Sequence, residues 1–133
     1  MLDLDRFKEV NDTRGHTTGD RILAAVADKL RHATSGRAVV ARVGGEEFLI
    51  AEMIQSGEAH TIAERLREAV AEIPWGATAS VGVASVTRIG SATLDARAVI
   101  EQLVEAADSA MYVAKRAGGN QTRHADRSAI HSR

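Results

Sequence analysis

The 133-residue chain contains no cysteine, which excludes disulfides, thiolate metal sites and a thiol nucleophile. Aromatic residues make up only 3%, too few for a platform on which nucleic-acid bases stack. Net charge is −1, so no excess of either sign argues for a nucleic-acid polymer or a membrane surface as partner. No apolar run reaches transmembrane length, and no secretory pattern opens the chain. The Walker A, GxGxxG and GxSxG patterns are missing, which removes P-loop, Rossmann and α/β-hydrolase readings as far as motifs can. A cytoplasmic protein is the simplest expectation, although a soluble domain of a membrane receptor would have the same composition.

What is present is an ordinary globular balance, 44% hydrophobic and 26% charged, in a chain long enough for one core. Met1-Leu2-Asp3-Leu4-Asp5 alternates with the period of a strand. A central strand needs more residues ahead of Met1, so the chain is expected to be cut at its N-terminus. Arg6 to Thr13 reads as a short irregular or helical piece. Ile22, Leu23, Val26, Ala27 and Leu30 then recur at helical spacing. Ala38 to Ala41 and Phe48 to Ala51 are two apolar runs joined through Gly44-Gly45, the pattern of a hairpin whose turn uses positive φ at glycine. A second amphipathic helix carries Ala59, Ile62, Ala63, Leu66, Val70 and Ile73 and is stopped by the only proline, Pro74. Ala77 to Val86 reads as a strand and Thr87 to Thr93 as a polar loop. A third helix, from Val99 to Ala114, stops at Gly118-Gly119. The order β-α-β-β-α-β-α predicts an α/β (α+β) fold with a mixed, mainly antiparallel sheet flanked by helices. The domain is expected over residues 1–120. The tail from Gln121 to Arg133 adds at most a short strand at its start and is otherwise expected to be mobile.

Adjacent carboxylates at a hairpin tip repel each other, so Glu46-Glu47 suits the holding of a cation or a proton better than it suits folding. Glycine at 44 and 45 would also let a large ligand approach the backbone. If the first strand lies beside the hairpin, Asp3 and Glu46 meet. With the carbonyl of Leu4 they offer hard oxygen ligands for Mg²⁺ or Mn²⁺. On strand period alone, Asp3 and Asp5 read equally well as solvent-facing charges. Asp20 falls in the expected first turn of its helix, where the helix dipole favours a negative charge. Lys8, which follows Phe7, could neutralise a phosphate or be an ordinary surface lysine, and Lys115-Arg116 suits a helix C-terminus. His16 has no second histidine at ligand spacing.

Five stretches together resemble the GGDEF family, the bacterial diguanylate cyclases. Asp3 to Asp12 is similar to the family's DxDxFKxxND, Gly15 to Asp20 to its GHxxGD, and Arg42 to Phe48 to its RxGGEEF hairpin. Ser80 to Ala84 is similar to its SxGxA strand and Ala107 to Lys115 to its ADxALYxAK helix. The resemblance implies a nucleotidyl-cyclase-like fold and the condensation of two GTP into cyclic di-GMP. It implies metal ligation by Asp3, the Leu4 carbonyl and Glu46, with Mg²⁺ or Mn²⁺ as cofactor. Asn11 and Asp20 would read guanine, with His16, Phe7 and Gly45 in the substrate pocket and Lys8 and Lys115 on phosphates. Glu46 or Glu47 would accept the proton of the attacking hydroxyl. Each domain would hold one GTP, so a homodimer, at least transient, and a sensory or dimerising domain upstream are expected.

The sequence departs from the family pattern in three places. The RxxD inhibitory site is replaced by Ser35-Gly36-Arg37-Ala38, which removes the guanidinium and its carboxylate partner, while Arg65 matches a secondary inhibitory arginine. Gly119 stands where the family carries a phosphate-contacting arginine, which predicts weaker triphosphate binding. The upstream LTGLxNR segment does not precede Met1. These departures keep open a second reading, a module that binds GTP or cyclic di-GMP without turnover.

Overall fold

A computed structural model describes residues 1–87 and 95–126. The opening alternation becomes strand β1 (Leu2–Leu4), in which Leu2 and Leu4 are buried on one face. The second piece is helical, α1 (Phe7–Arg14), and is followed by α2 (His16–Ala33). The hairpin is β2 (Val39–Arg42) and β3 (Glu47–Ala51). Then come α3 (Ala59–Ala71), β4 (Ala79–Val83), α4 (Ala96–Arg116) and β5 (Gln121–His124). The start of the expected tail thus forms β5, and residues 127–133 lie outside the described residues. So does most of the expected loop from Thr87 to Thr93.

The five strands run in the order β2-β3-β1-β4-β5, so the first strand of the chain lies at the centre of the sheet. β1 is antiparallel to both β3 and β4, β2 is antiparallel to β3, and β4 is parallel to β5. The sheet is therefore mixed and mainly antiparallel, as the element order predicts. Side chains alternate across a strand, and the register makes that alternation coherent. Leu2 pairs with Phe48 and Val81, and Leu4 with Ala79. These residues share a core with Ile22, Val26 and Leu30 of α2 and with Ala63, Leu66 and Val70 of α3. Buried positions on both helices keep the spacing of three and four that an amphipathic helix requires. Asp3 faces the other way, toward α4, whose side-chain oxygen cap is Asp95, accepting from the Arg97 amide at 3.0 Å. No helix among the described residues is long and apolar enough to cross a membrane.

Three local expectations are corrected. Neither Gly44 nor Gly45 has positive φ. The connection spans Val43 to Glu46, and a loop of that length is commonly built on an ordinary type I turn rather than on the mirror-image turn of a two-residue loop. The Arg42 Nε holds it by donating to the carbonyls of Gly44 and Gly45, each at 3.1 Å. Helix α2 starts at His16, so Asp20 sits in the second turn and the dipole gives no account of it. The strand expected over Ala77 to Val86 is confined to Ala79–Val83.

The turn that leads into edge strand β5 is hydrogen-bonded to α3. Arg67 grips Glu64 at 2.7 Å and donates to the Asn120 side-chain oxygen at 2.8 Å. Hydrogen bonding from Arg67 holds the Glu64 carboxyl down at about 2, against an ordinary 4.5. Because the folded value is depressed, the pair's contribution is complete above pH 4.5 and is lost as pH falls toward 2. After solvent screening it amounts to about 1–2 kcal/mol. Acid melts should show that loss, and Glu64→Gln should flatten the slope in that window while lowering stability at neutral pH.

Candidate active site

The centre of the sheet ends in a cluster of charge. Asp3 is only 4% exposed, which excludes its reading as a solvent-facing residue. It pairs with Glu47 across the β1–β3 ladder, while the Leu4 amide donates to the Glu46 carbonyl at 3.2 Å. β1 thus lies beside the hairpin, as the expected meeting of Asp3 with Glu46 requires. Leu4 is the last residue of β1, where the strand gives way to a turn. Lys115, in the last turn of α4, donates to Asp3 Oδ1 at 2.5 Å and lies 4.0 Å from Glu46 Oε1. An ammonium group beside two converging carboxylates shows that this spot favours a cation.

Electrostatics follow from that geometry. Burial raises the Glu46 carboxyl above its ordinary value, and Asp3 and Glu47 push the same way while Lys115 opposes them. Burial acts to lower the Lys115 ammonium, but the hydrogen bond and charge of Asp3 outweigh it and the net direction is upward. Among the described residues no group of three or more ligating side chains gathers at one point. The donor set is two carboxylates and a backbone carbonyl. It suits a hard cation that completes its shell with water and phosphate oxygens, so the residues present fit Mg²⁺ or Mn²⁺.

A second group lies where α1 meets α2. Arg6 takes the left-handed conformation, φ 54° and ψ 30°, and turns the chain from β1 into α1. Phe7 is buried in the core beneath the junction, and Lys8 is exposed. Asn11 faces Gly19, the residue before Asp20. A Cβ on Gly19 would stand 1.8 Å from Asn11 Oδ1 and 3.3 Å from the Phe7 ring. Glycine is thus required for α1 and α2 to approach with the Asn11 side chain packed against position 19. His16 and Asp20 are both exposed on α2. Gly19→Ala should displace Asn11 and weaken about tenfold the nucleotide binding that the sequence resemblance implies, a loss comparable to one buried hydrogen bond. Nucleotide titration checks this, with Gly36→Ala as a control, since a Cβ at Gly36 meets nothing within 4 Å and Gly36 belongs to neither charged group.

Sequence reasoning missed the role of Asp5. Its carboxylate accepts from Thr78 Oγ1 at 2.8 Å, Ser80 Oγ at 2.6 Å and the Asn120 amide at 2.8 Å. Asp5 thereby clasps β4 and the turn after α4 to the end of β1, keeping Lys115 near Asp3. Gly119 completes the clasp. It has φ 75°, and a Cβ there would lie 2.8–2.9 Å from the Asp5 carboxyl. The glycine in place of an arginine is thus part of the turn's packing. Within the DxD pattern, Asp5 was visible only as one of two acids, and its partners are 73, 75 and 115 residues away. Two cavities of about 390 and 490 Å³ include none of Asp3, Asn11, Asp20 or Glu46. The smaller cavity is lined in part by Leu4 and Phe7, at the end of β1 and the start of α1.

Comparison with known proteins agrees with this arrangement. Residues 1–121 match the family model described as "Diguanylate cyclase, GGDEF domain". The chain is 37% identical over 123 residues to diguanylate cyclase DosC of Escherichia coli strain K12, covering 91% of this chain and 26% of that protein. It therefore spans about a quarter of the length of that curated relative. Among solved structures, the active GGEEF domain of a diguanylate cyclase from Vibrio cholerae superposes with a TM-score of 0.80 at 32% identity, covering 95% of this chain and 80% of that one. The GGDEF domain of DgcB from Caulobacter crescentus, solved in complex with c-di-GMP, has a TM-score of 0.77 at 31% identity, covering 94% and 73%. The family is metal-dependent. With a family model matched along almost its whole length, the chain belongs to the GGDEF family.

Proposed function

We propose that this chain condenses two molecules of GTP into cyclic di-GMP with release of pyrophosphate. The observation that carries the reading is the pairing of Asp3 with the Glu46-Glu47 tip beside Lys115, on one end of the sheet, together with Asn11 and Asp20 at the α1–α2 junction. Asp3, Glu46 and the Leu4 carbonyl would hold Mg²⁺ or Mn²⁺. When bound, that cation polarises the α-phosphate and acidifies the attacking hydroxyl. Asp20 accepts from guanine N1–H and N2–H, and Asn11 both donates and accepts at the base edge. Lys8 and Lys115 take up negative charge on the phosphates and the leaving pyrophosphate. Lys115 reaches them by turning from Asp3. His16 and Gly45 border the bound nucleotide, and buried Phe7 supports the junction from below.

The 3′-hydroxyl oxygen of one GTP forms a bond to the α-phosphorus of the other, and the bond from that phosphorus to pyrophosphate breaks. The hydroxyl proton passes to a carboxylate. Glu46 is the first choice, from its place in the family's hairpin motif beside Asp3 and Lys115, and Glu47 is the alternative. A second identical step closes the ring. One domain supplies one nucleotide, so two copies face each other during turnover, and a sensory or dimerising domain upstream would set their encounter. The need for GTP places the domain in the cytoplasm. A second reading, a module that binds GTP or cyclic di-GMP without turnover, is favoured by Gly119, which removes one phosphate contact.

The test is incubation with GTP and Mg²⁺ over a range of protein concentrations, with chromatographic separation of products. Cyclic di-GMP formed at a rate rising faster than linearly with protein supports turnover between two copies. Binding of either nucleotide with no product at any concentration sinks the enzyme reading and leaves the binding module.

A further inference from the structure

On the side of the sheet that α3 covers, two histidines from opposite ends of the fold meet. His60 is the second residue of α3, and His124 is the last residue of β5. They are 64 residues apart, yet His60 Nδ1 and His124 Nε2 lie 2.9 Å from each other. The ring centroids are 5.1 Å apart and the rings are tilted by 38°. Both residues are exposed, and neither takes part in the guanine or carboxylate groups described above. An imidazole pair at this distance can share only one proton, with one nitrogen donating and the other accepting. A borderline divalent cation uses both lone pairs instead. With metal–nitrogen bonds of about 2.0–2.1 Å, nitrogens at the observed separation subtend roughly 90° at the metal, the cis angle of tetragonal and octahedral ions, and a widening to about 3.4 Å by ring rotation gives the tetrahedral angle of Zn²⁺.

We propose that His60 and His124 form a two-imidazole site for a transition-metal cation of the Zn²⁺, Ni²⁺ or Cu²⁺ class, stapling edge strand β5 to α3. The ring nitrogens turn toward a common point by rotation of exposed side chains. Glu64, one helical turn beyond His60, is close enough to act electrostatically on both rings and favours a cation there. It is gripped by Arg67 at 2.7 Å and does not complete a three-residue ligand set, so water fills the remaining positions. Imidazole nitrogens select this class over Mg²⁺, which prefers oxygen. The staple reaches further than the two rings. Arg67 on the same helix holds Asn120, and the Asn120 amide is bound by Asp5. Metal at the histidines therefore rigidifies the segment that leads from the Asp5 clasp into β5.

ZnCl₂ is titrated by calorimetry and by thermal melting into protein carrying Asp3→Asn and Glu46→Gln, which removes the carboxylate site as a competitor. His60→Gln and His124→Gln are each added to that background. One zinc equivalent is expected, with a melting temperature raised by roughly 3–6 °C at ten times the Kd. Either histidine substitution should abolish both, and millimolar Mg²⁺ should not reproduce the shift. Nitrogen-15 spectra of the unsubstituted protein should show His60 and His124 perturbed together. Zinc stoichiometry and melting shift retained in either histidine variant would place the metal elsewhere and overturn the proposal. A spectrum in which His16 or His32 moves and the pair does not would do the same.

Discussion

Glu46→Gln is expected to reduce cyclic di-GMP formation by about 10³-fold or more while leaving the protein slightly more stable. The amide keeps the shape of the side chain but removes a charged oxygen donor and the candidate proton acceptor, and electrostatic contributions of that kind dominate phosphoryl-transfer rates. The stability effect has the opposite sign for a physical reason. Burial, reinforced by Asp3 and Glu47, raises the Glu46 carboxyl above its ordinary 4.5. The unfolded chain therefore gives up this proton at lower pH than the folded one. Ionised Glu46 costs stability as pH rises from 4.5 through the raised folded value, and the cost persists at neutral pH. Lys115, at 4.0 Å, offsets part of it. Replacing the charge should stabilise the metal-free domain by less than about 1 kcal/mol after solvent screening, a rise of a few degrees at most. Product chromatography and thermal melting read the two effects separately. Loss of activity together with unfolding would assign Glu46 to folding, and retained activity would remove it from the reaction.

Asp20→Ala is expected to lower kcat/KM for GTP by about 10²–10³-fold and to erase most of the preference over ATP. Asp20 is exposed on α2 and is not explained by the helix dipole, so its charge is free for a ligand. Guanine offers the N1–H and N2–H donors that a carboxylate accepts, and adenine does not. Metal affinity should be unchanged, because Asp3 and Glu46 belong to a different part of the fold. Cyclic di-GMP keeps the same base, and Ser35 and Ala38 leave no arginine–carboxylate pair upstream of the hairpin to hold it. Product should therefore compete with GTP at the active site, and its affinity should fall in the same variant. Product affinity unaffected by Asp20→Ala would locate product binding elsewhere, with exposed Arg65 of α3 the first residue to test.

Much of this molecule was legible in the residues. The alternation Leu2-Asp3-Leu4, the helical spacing of Ile22, Val26 and Leu30, and the apolar runs flanking Gly44-Gly45 each specify an element through local geometry. Local geometry repeats every two or 3.6 residues whatever the rest of the chain does. The ordered motifs from Asp3 to Lys115 likewise specify the family. Local reasoning failed where a neighbour in space sets the answer. The hairpin loop is held by Arg42 rather than by positive φ at its glycines. Asp20 left the first turn because α2 begins at His16, four residues before it, where the motif reads as a loop.

Which face an acid occupies is settled by what packs beside it. Strand period treats Asp3 and Asp5 as equivalent and solvent-facing. In the fold, Asp3 meets Lys115 across 112 residues and Asp5 binds Thr78, Ser80 and Asn120. Those pairings exist because β1 lies between β3 and β4 at the middle of the sheet. The elements, the family and the residue types available for chemistry follow from the order of residues alone, since these depend on short-range spacing and ordered motifs. Folding in three dimensions is what brings Lys115 to Asp3, makes Gly19 leave room for Asn11, and joins His60 to His124. Such convergence depends on strand order and helix packing, which short-range periodicity does not encode.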